Sequence, residues 1–169
     1  MKYATTFGAS QIDKNSKEYK DGIKLGKFLS KNGYIVKCGG YQGLMEAVSY
    51  GVYLESGTCI GVTVERFDKF RPKNPYLSKK IVCKNLYERL EKLIEGSDIF
   101  IAQKGSIGTL NEIFMTLALK YSGFKPDIDI VLIGEMYKEM LNCSFIDKNF
   151  IENVKIYIDV DEFIKGVSL

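Results

Sequence analysis

Short apolar runs alternate with longer amphipathic segments along the 169 residues of the chain. Such runs are typical of buried strands, and apolar positions that recur every three or four residues are typical of helices packed on a sheet. The alternation predicts one α/β domain over residues 1–169, doubly wound, with a mostly parallel sheet and helices on both faces. The predicted strands are 3–7, 34–38, 58–64, 81–83, 98–102, 130–133 and 155–157. The predicted helices are 16–32 (with Gly33 as its cap), 44–52, 86–95, a long helix after Gly108, 135–142 and 160–165.

Residues 65–76 form a long stretch without periodicity between two of these elements. It contains Arg66, Arg71 and Lys73 beside two prolines. Long irregular connections in a compact domain often carry function, so the pattern predicts a functional loop. Each of its cations can equally be an ordinary exposed charge.

Two glycine turns follow predicted strands, Gly39-Gly40-x-x-Gly43 and Gly105-x-x-Gly108. Ligands of open parallel sheets collect at the carboxyl ends of strands, and a glycine loop that opens a helix presents backbone N–H groups to a phosphate. The turns therefore predict a site for a small phosphorylated ligand, although glycines also simply permit tight corners. The first turn lacks the full GxGxxG spacing and no acidic residue ends the third strand, so a conventional NAD site is not expected.

Glu112 has two interpretations. Thr109-Leu110-Asn111-Glu112 matches the capping box, in which the carboxylate only returns to the backbone N–H of the cap residue. Alternatively, the carboxylate faces the ligand held by the preceding glycine loop and acts as a catalytic group.

Arg89 is also open to two interpretations. It lies at the border of the apolar face of its predicted helix, which Leu86, Leu90 and Leu93 define. A side chain at that border can extend outward into solvent or reach over the edge of the sheet toward an anion.

The composition excludes several classes of function. A net charge of +3 is too small, and too dispersed, to indicate binding of a nucleic-acid polymer, and no apolar stretch approaches the ~20 residues of a membrane span. The first residues lack the apolar core of a secretory signal. The chain has no histidine, which removes Ser-His-Asp and Cys-His catalysis and leaves no case for a catalytic zinc site. The cysteines at 38, 59, 83 and 143 form no CxxC pair, which predicts reduced, buried thiols in a cytoplasmic protein.

Three motifs together resemble one family. Gly39-Gly40-Tyr41-Gln42-Gly43-Leu44-Met45, then Glu88-Arg89, then Gly105-Ser106-Ile107-Gly108-Thr109-Leu110-Asn111-Glu112 are similar, in order and spacing, to the LONELY GUY (LOG) family. The resemblance covers roughly residues 3–133. Members of that family have also carried the label "possible lysine decarboxylase", which has no support here because no lysine is flanked by the elements of a pyridoxal-phosphate site.

The resemblance implies a Rossmann-like homodimer that hydrolyses the N-glycosidic bond of a nucleoside 5′-monophosphate. Arg89 and Glu112 would take the catalytic positions, and no metal or organic cofactor would be needed. The remaining implied phosphate- and nucleotide-binding residues are Gly105, Ser106, Ile107, Gly108, Thr109, Gly39, Gly40, Gly43, Met45 and Ser10. The chain departs from the family pattern where Pro-Gly-Gly reads Lys104-Gly105-Ser106 and where Leu90 replaces a lysine. The alternative is a non-catalytic nucleotide or molybdenum-cofactor carrier or sensor on the same fold.

Self-association is predicted independently from the helix that follows Gly108. Phe114, Met115, Leu119 and Tyr121 make it apolar around more of its circumference than one contact with a sheet requires. The helix that starts at Leu44, taken as far as Leu54, shows a similar excess, with Tyr50 and Tyr53 beside its valines. Both features predict a buried dimer interface.

Overall fold

The structure is a computed structural model that describes residues 1–144, 146–151 and 154–167. The strands within these residues are β1 (Lys2–Phe7), β2 (Tyr34–Cys38), β3 (Cys59–Val64), β4 (Lys79–Cys83), β5 (Ile99–Ala102), β6 (Asp129–Ile133) and β7 (Val154–Tyr157). They form one parallel sheet in the order β4-β3-β2-β1-β5-β6-β7. The doubly wound α/β fold predicted from the sequence is confirmed.

Helices cover both faces of this sheet. They are α1 (Lys17–Lys31), α2 (Leu44–Leu54), α3 (Glu65–Asp68), α4 (Leu86–Ile94), α5 (Ile107–Tyr121), α6 (Met136–Leu141) and α7 (Val160–Gly166), with a 3-10 turn at Lys148–Phe150. α1, α2 and α7 bury Leu25, Val48 and Phe163 in one core, and α4 and α5 bury Leu93 and Ile113 in the other. In the part of the chain that the structure describes, no helix has both the length and the apolarity needed to cross a membrane.

The strand order reverses between β1 and β5, which are neighbours in the sheet. β2 and β3 continue on one side of that point, whereas β6 and β7 continue on the other. The loops that leave β1 and β5 are joined by a hydrogen bond from the backbone N–H of Ala9 to the carbonyl of Lys104 (2.9 Å), and Leu44 N–H donates to the carbonyl of Ala9 (2.9 Å). All three strand-to-helix loops therefore meet at the carboxyl edge, where such sheets bind ligands.

Three details of the predicted elements were wrong. The segment 65–76 begins with the short helix α3, because Phe67 packs against the core and contacts the ring of Tyr41 (centroids 6.1 Å apart). The C-cap of α1 is Asn32, and Gly33 follows it with φ +77°, a left-handed conformation that glycine adopts without strain. α5 begins at Ile107, ahead of Gly108.

The cysteines follow the prediction at three of four positions. Cys38, Cys59 and Cys83 are buried free thiols, but Cys143, which lies just beyond α6, is exposed. The prediction was wrong for Cys143 because that residue lies outside the strands. The cytoplasmic location inferred from the cysteines stays a prediction.

Candidate functional site

A cleft of about 300 Å³ opens at the carboxyl edge of the sheet, between the loops that follow β1 and β2 and the first turn of α5. It brings together nine of the twelve residues predicted for the site. Its walls are Thr6, Phe7, Gly8, Ser10, Gly39, Tyr41, Met45, Phe67, Arg71, Leu86, Arg89, Ser106, Ile107, Gly108, Thr109 and Glu112.

Arg89 reaches into the cleft across the ends of two strands. Its Nε donates to the carbonyl of Val62 in β3 (2.9 Å), and its Nη2 donates to the carbonyl of Gly39 just after β2 (3.4 Å). Its Nη1 lies 3.3 Å from Oε1 of Glu112. Of the two interpretations of Arg89, the inward one is correct, because backbone carbonyls that β2 and β3 leave at the sheet edge accept its donors.

Glu112 is a buried carboxyl group on the inner side of α5, only 8% exposed. Burial raises its pKa from the ordinary 4.5 to about 7, although the charge and the hydrogen bond of Arg89 both act to lower it. A carboxyl group with a pKa near neutrality can exchange a proton with a reacting molecule, which is the property required of a general acid or base.

The capping-box interpretation of Glu112 was wrong. The N-cap of α5 is Ser106, so Thr109 lies inside the first turn, and Glu112 pairs with Arg89 instead of a cap residue. Ser106 makes no side-chain hydrogen bond to the helix, and the first turn holds no acidic residue. The backbone N–H groups that begin this 15-residue helix therefore face the cleft without a side-chain acceptor.

The two glycine turns contribute unequally to the cleft. Gly39 lines it, and a Cβ atom there would lie 2.2 Å from Nη2 of Arg89, so the absence of a side chain makes room for the guanidinium. Gly40, Gly43 and Gly105 do not line the cleft. A Cβ at these positions would lie 2.7 Å from Thr63 Cγ2, 2.4 Å from the carbonyl oxygen of Ala9 and 2.1 Å from Thr109 Oγ1, respectively.

The sequence interpretation missed an aromatic and cationic wall of the cleft. The guanidinium carbon of Arg71 lies 4.9 Å from the ring centroid of Tyr41 and 4.8 Å from that of Phe67, within the range of a cation–π contact. Arg71 had been treated as an exposed charge by default. The signal that could have found it is its place in the aperiodic segment after β3, together with a tyrosine inside the first glycine turn.

A larger cavity of about 690 Å³ lies on the other side of the loop after β5. Gly105 lines this cavity with apolar side chains of α6 and with Tyr137, whose hydroxyl donates to the carbonyl of Gln103 (2.6 Å). Neither Arg89 nor Glu112 reaches it. We therefore take the smaller cleft as the candidate active site, since the buried ion pair and the uncapped helix start converge there.

No cluster of potential metal ligands lies within residues 1–144, 146–151 and 154–167. No three Cys, Asp or Glu side chains within them are close enough together to hold a metal ion. The absence of a metal or cofactor stays a prediction.

The fold and this cleft define an α/β protein of the type that binds ligands at the carboxyl edge of a parallel sheet. Residues 2–152 match the model of the SLOG cluster4 family, and the chain belongs to that family. The resemblance to LONELY GUY proteins is confirmed by two relatives. The chain is 32% identical over 145 residues to a probable cytokinin riboside 5′-monophosphate phosphoribohydrolase, LOGL6, of Oryza sativa subsp. japonica. It is 30% identical over 138 residues to the phosphoribohydrolase LOG1 of Arabidopsis thaliana.

These alignments cover most of this chain but only part of the relatives. They span 83% and 79% of the chain, against 56% of LOGL6 and 63% of LOG1. The activity of the whole relatives therefore enters only as a proposal.

Solved structures agree on the fold. A structural-genomics target named TM1055 has a TM-score of 0.76 and 27% identity, covering 98% of each chain. The molybdenum cofactor binding protein of Rippkaea orientalis has a TM-score of 0.77 at 20% identity, covering 98% of this chain and 94% of that one. DNA processing protein A of Helicobacter pylori, whose structure concerns single-stranded DNA binding, has a TM-score of 0.60 at 16% identity, covering 98% and 79%. The last two likenesses concern the fold alone.

Proposed function

We propose that the protein hydrolyses the N-glycosidic bond of a nucleoside 5′-monophosphate and releases the free base and ribose 5-phosphate. The observation that carries the proposal is Glu112, a buried carboxyl group with a pKa of about 7 that lies 3.3 Å from Arg89 in a cleft walled by the uncapped start of α5. The names of the LOGL6 and LOG1 relatives support the same reaction.

The chemistry of the cleft fits this reaction. As the bond between C1′ and the base nitrogen breaks, positive charge develops on the ribose, and the carboxylate of Glu112 stabilises that charge. Water then adds its oxygen to C1′ and gives a proton to Glu112, while the base leaves with the electron pair of the broken bond. The base takes up a proton from solvent, and Glu112 returns its proton to solvent, so that the carboxylate is restored. Water is the only co-reactant needed.

The substrate fits in one orientation. Its 5′-phosphate accepts hydrogen bonds from the N–H groups of the first turn of α5, where the helix dipole also favours an anion. Arg89 holds the phosphate or ribose beside Glu112. The base then lies toward Arg71, whose planar guanidinium packs over the rings of Tyr41 and Phe67 and can stack on it.

A homodimer forms the second part of the proposal. Leu86 and Tyr87 on α4 and Ile107 and Phe114 on α5 expose 55%, 87%, 79% and 42% of their surfaces. Leu86 and Ile107 also line the cleft, so this apolar surface is continuous with the site. We expect sedimentation equilibrium at micromolar concentration to give a dimer, and Ile107→Asp to give a monomer. A wild-type monomer under those conditions would contradict this part of the proposal.

The test of the hydrolase is release of free base from a panel of nucleoside 5′-monophosphates, measured by chromatography. We expect the wild type to release base from at least one member, and the same nucleosides without the phosphate to be poor substrates because they lack the group that α5 binds. No release from any member would remove the hydrolase proposal.

The alternative is a carrier or sensor that binds the same ligand without turnover. This alternative is favoured by the departures from the LOG family pattern at Lys104, Ser106 and Leu90. It is also favoured by the fold shared with the molybdenum cofactor binding protein. Tight binding of a nucleoside monophosphate, or of molybdenum cofactor, with no release of base would support the carrier.

A further inference from the structure

Residues 65–80, which connect β3 to β4 and include the first two residues of β4, carry more net positive charge than the whole chain, so the expectation of dispersed charge was wrong. They contain six cationic and two anionic side chains, a net charge of +4, whereas the whole chain carries +3. The cations are Arg66, Lys69, Arg71, Lys73, Lys79 and Lys80. The rest of the chain is therefore nearly neutral, and this concentration of charge calls for a local explanation.

The connection is held against the first glycine turn. Asn74 Nδ2 donates to the carbonyl of Tyr41 (3.2 Å) and to Ser49 Oγ (2.9 Å). Ser78 N–H donates to the carbonyl of Cys59 (2.9 Å) at the start of β3. These hydrogen bonds anchor the chain just after Lys73 and just before Lys79.

A separate cavity of about 340 Å³ lies between this connection and Gly40. Arg71, Lys73, Lys79 and Lys80 line it, and Asp68 is the carboxylate in its wall. Asp68 already accepts from Lys80 Nζ (2.7 Å) and from Thr63 Oγ1 (3.1 Å).

The other three cations of this cavity lack a carboxylate partner. Among the described residues, no ion pair shorter than 4.0 Å joins Arg71, Lys73 or Lys79 to an acidic side chain. An arginine and two lysines around one cavity match a phosphate in charge and in hydrogen-bond donors.

This basic cavity adjoins the candidate active site, because Tyr41 and Arg71 line both. The guanidinium of Arg71 lies over Tyr41 and Phe67 and so stands at the boundary between them. A ligand that extends past these rings would place its far end among Lys73 and Lys79.

We propose that the ligand is a small nucleotide with two phosphoryl groups, one at the start of α5 and the other in the basic cavity. The inference rests on the proposed function for the first phosphate and adds the second. A nucleic-acid polymer fits less well, because outside residues 65–80 the chain carries a net charge of −1 and so offers no further excess of positive charge to a longer backbone.

Binding calorimetry on the full chain tests this with three small probes, namely AMP, adenosine 3′,5′-bisphosphate and a 5′-phosphorylated adenine dinucleotide, and with a long single strand as the polymer control. We expect the wild type to bind the bisphosphate or the dinucleotide at least about 10-fold more tightly than AMP, as one additional charge-assisted contact implies. Preference for the bisphosphate would identify the second group as a 3′-phosphate, and preference for the dinucleotide would identify it as a phosphodiester.

The double variant Lys73→Gln/Lys79→Gln should lose this preference and keep its affinity for AMP. The matched control is Lys20→Gln/Lys165→Gln, which removes two exposed lysines of α1 and α7 and should keep the preference. Equal wild-type affinities for all three probes, equal loss in the control, or tighter binding of a long single strand than of the dinucleotide would each overturn the inference.

The two proposals can fail separately. Release of base from AMP with no preference for a second phosphate would leave the hydrolase intact and remove the basic subsite. A preference that depends on Lys73 and Lys79, without any release of base, would keep the subsite and favour the carrier.

Discussion

Glu112→Gln separates the chemistry of the carboxyl group from its packing, because the two side chains have nearly the same shape. The pKa of Glu112 in the folded protein is about 7 against an ordinary value of 4.5, and each unit corresponds to 1.36 kcal/mol. The folded state therefore binds this proton more tightly than the unfolded state, so the free energy of unfolding of the wild type falls as the pH rises from about 4.5 to about 7. The contribution lost across that window is about 3 kcal/mol.

The amide of the variant does not titrate, so the variant does not lose this part of its free energy of unfolding as the pH rises. We expect wild type and variant to have similar stability near pH 4, and the variant to be more stable by about 3 kcal/mol near pH 8. Urea denaturation across this range measures the difference, and Glu91→Gln, which removes an exposed carboxylate of α4, controls for the change of charge. Release of base should meanwhile fall ~100-fold or more. A stability difference that does not vary with pH would refute the reasoning about burial, and an unchanged rate would refute the catalytic role.

Three further substitutions test the geometry around Glu112. Gly39→Ala should displace the guanidinium of Arg89, since the added Cβ would lie 2.2 Å from Nη2. The variant should have lower turnover with little change in melting temperature, and an unchanged rate would show that the contact between Gly39 and Arg89 is unimportant. Arg89→Ala removes the group that lowers the pKa of Glu112, so the pH at which the rate is half-maximal should move upward; a shift downward would contradict the ion pair. Gly108→Val adds side-chain atoms where a Cβ meets nothing within 4 Å, so the fold should persist. The affinity for a monophosphate should fall ~10-fold or more, and Gly108→Ala should lose less affinity. Equal affinity in both variants and in the wild type would place the phosphate elsewhere.

The fold was predictable from the sequence because each element buries a regular apolar pattern. β2 was predicted at the bounds it has, since Tyr34–Cys38 lies between turn glycines. α3 was not, because a four-residue helix has no periodicity to detect, and tertiary contacts such as that of Phe67 with Tyr41 stabilise it. Element bounds that depend on such distant contacts are not encoded locally.

The parts of the candidate site that belong to one local motif were predictable from the sequence. The parts that depend on contacts between residues distant in sequence were not. Glu112 and Gly108 belong to one loop-and-helix motif that the sequence displays directly. The capping box at Thr109 was an equally valid local pattern, and only the position of Ser106 and the approach of Arg89 exclude it. Arg71 lies in the aperiodic segment that the sequence predicts as a functional loop, but its place in the cleft depends on ring contacts with the nearby Phe67 and the distant Tyr41, which no local pattern specifies.

The position of Arg89 also explains how a buried carboxyl group can remain responsive to a ligand. Two of the three contacts of its guanidinium are to backbone carbonyls, of Val62 and Gly39, which are fixed by β3 and by the end of β2. The third contact, to Glu112, is a single hydrogen bond of 3.3 Å and not a bidentate pair. Arg89 therefore keeps its place when that bond breaks, and a phosphate or ribose that takes over Nη1 would leave Glu112 buried without its counter-charge. Ligand binding by this route would raise the pKa of Glu112, so the carboxylate form that accepts the proton of the attacking water would be populated at a higher pH in the complex than in the free protein.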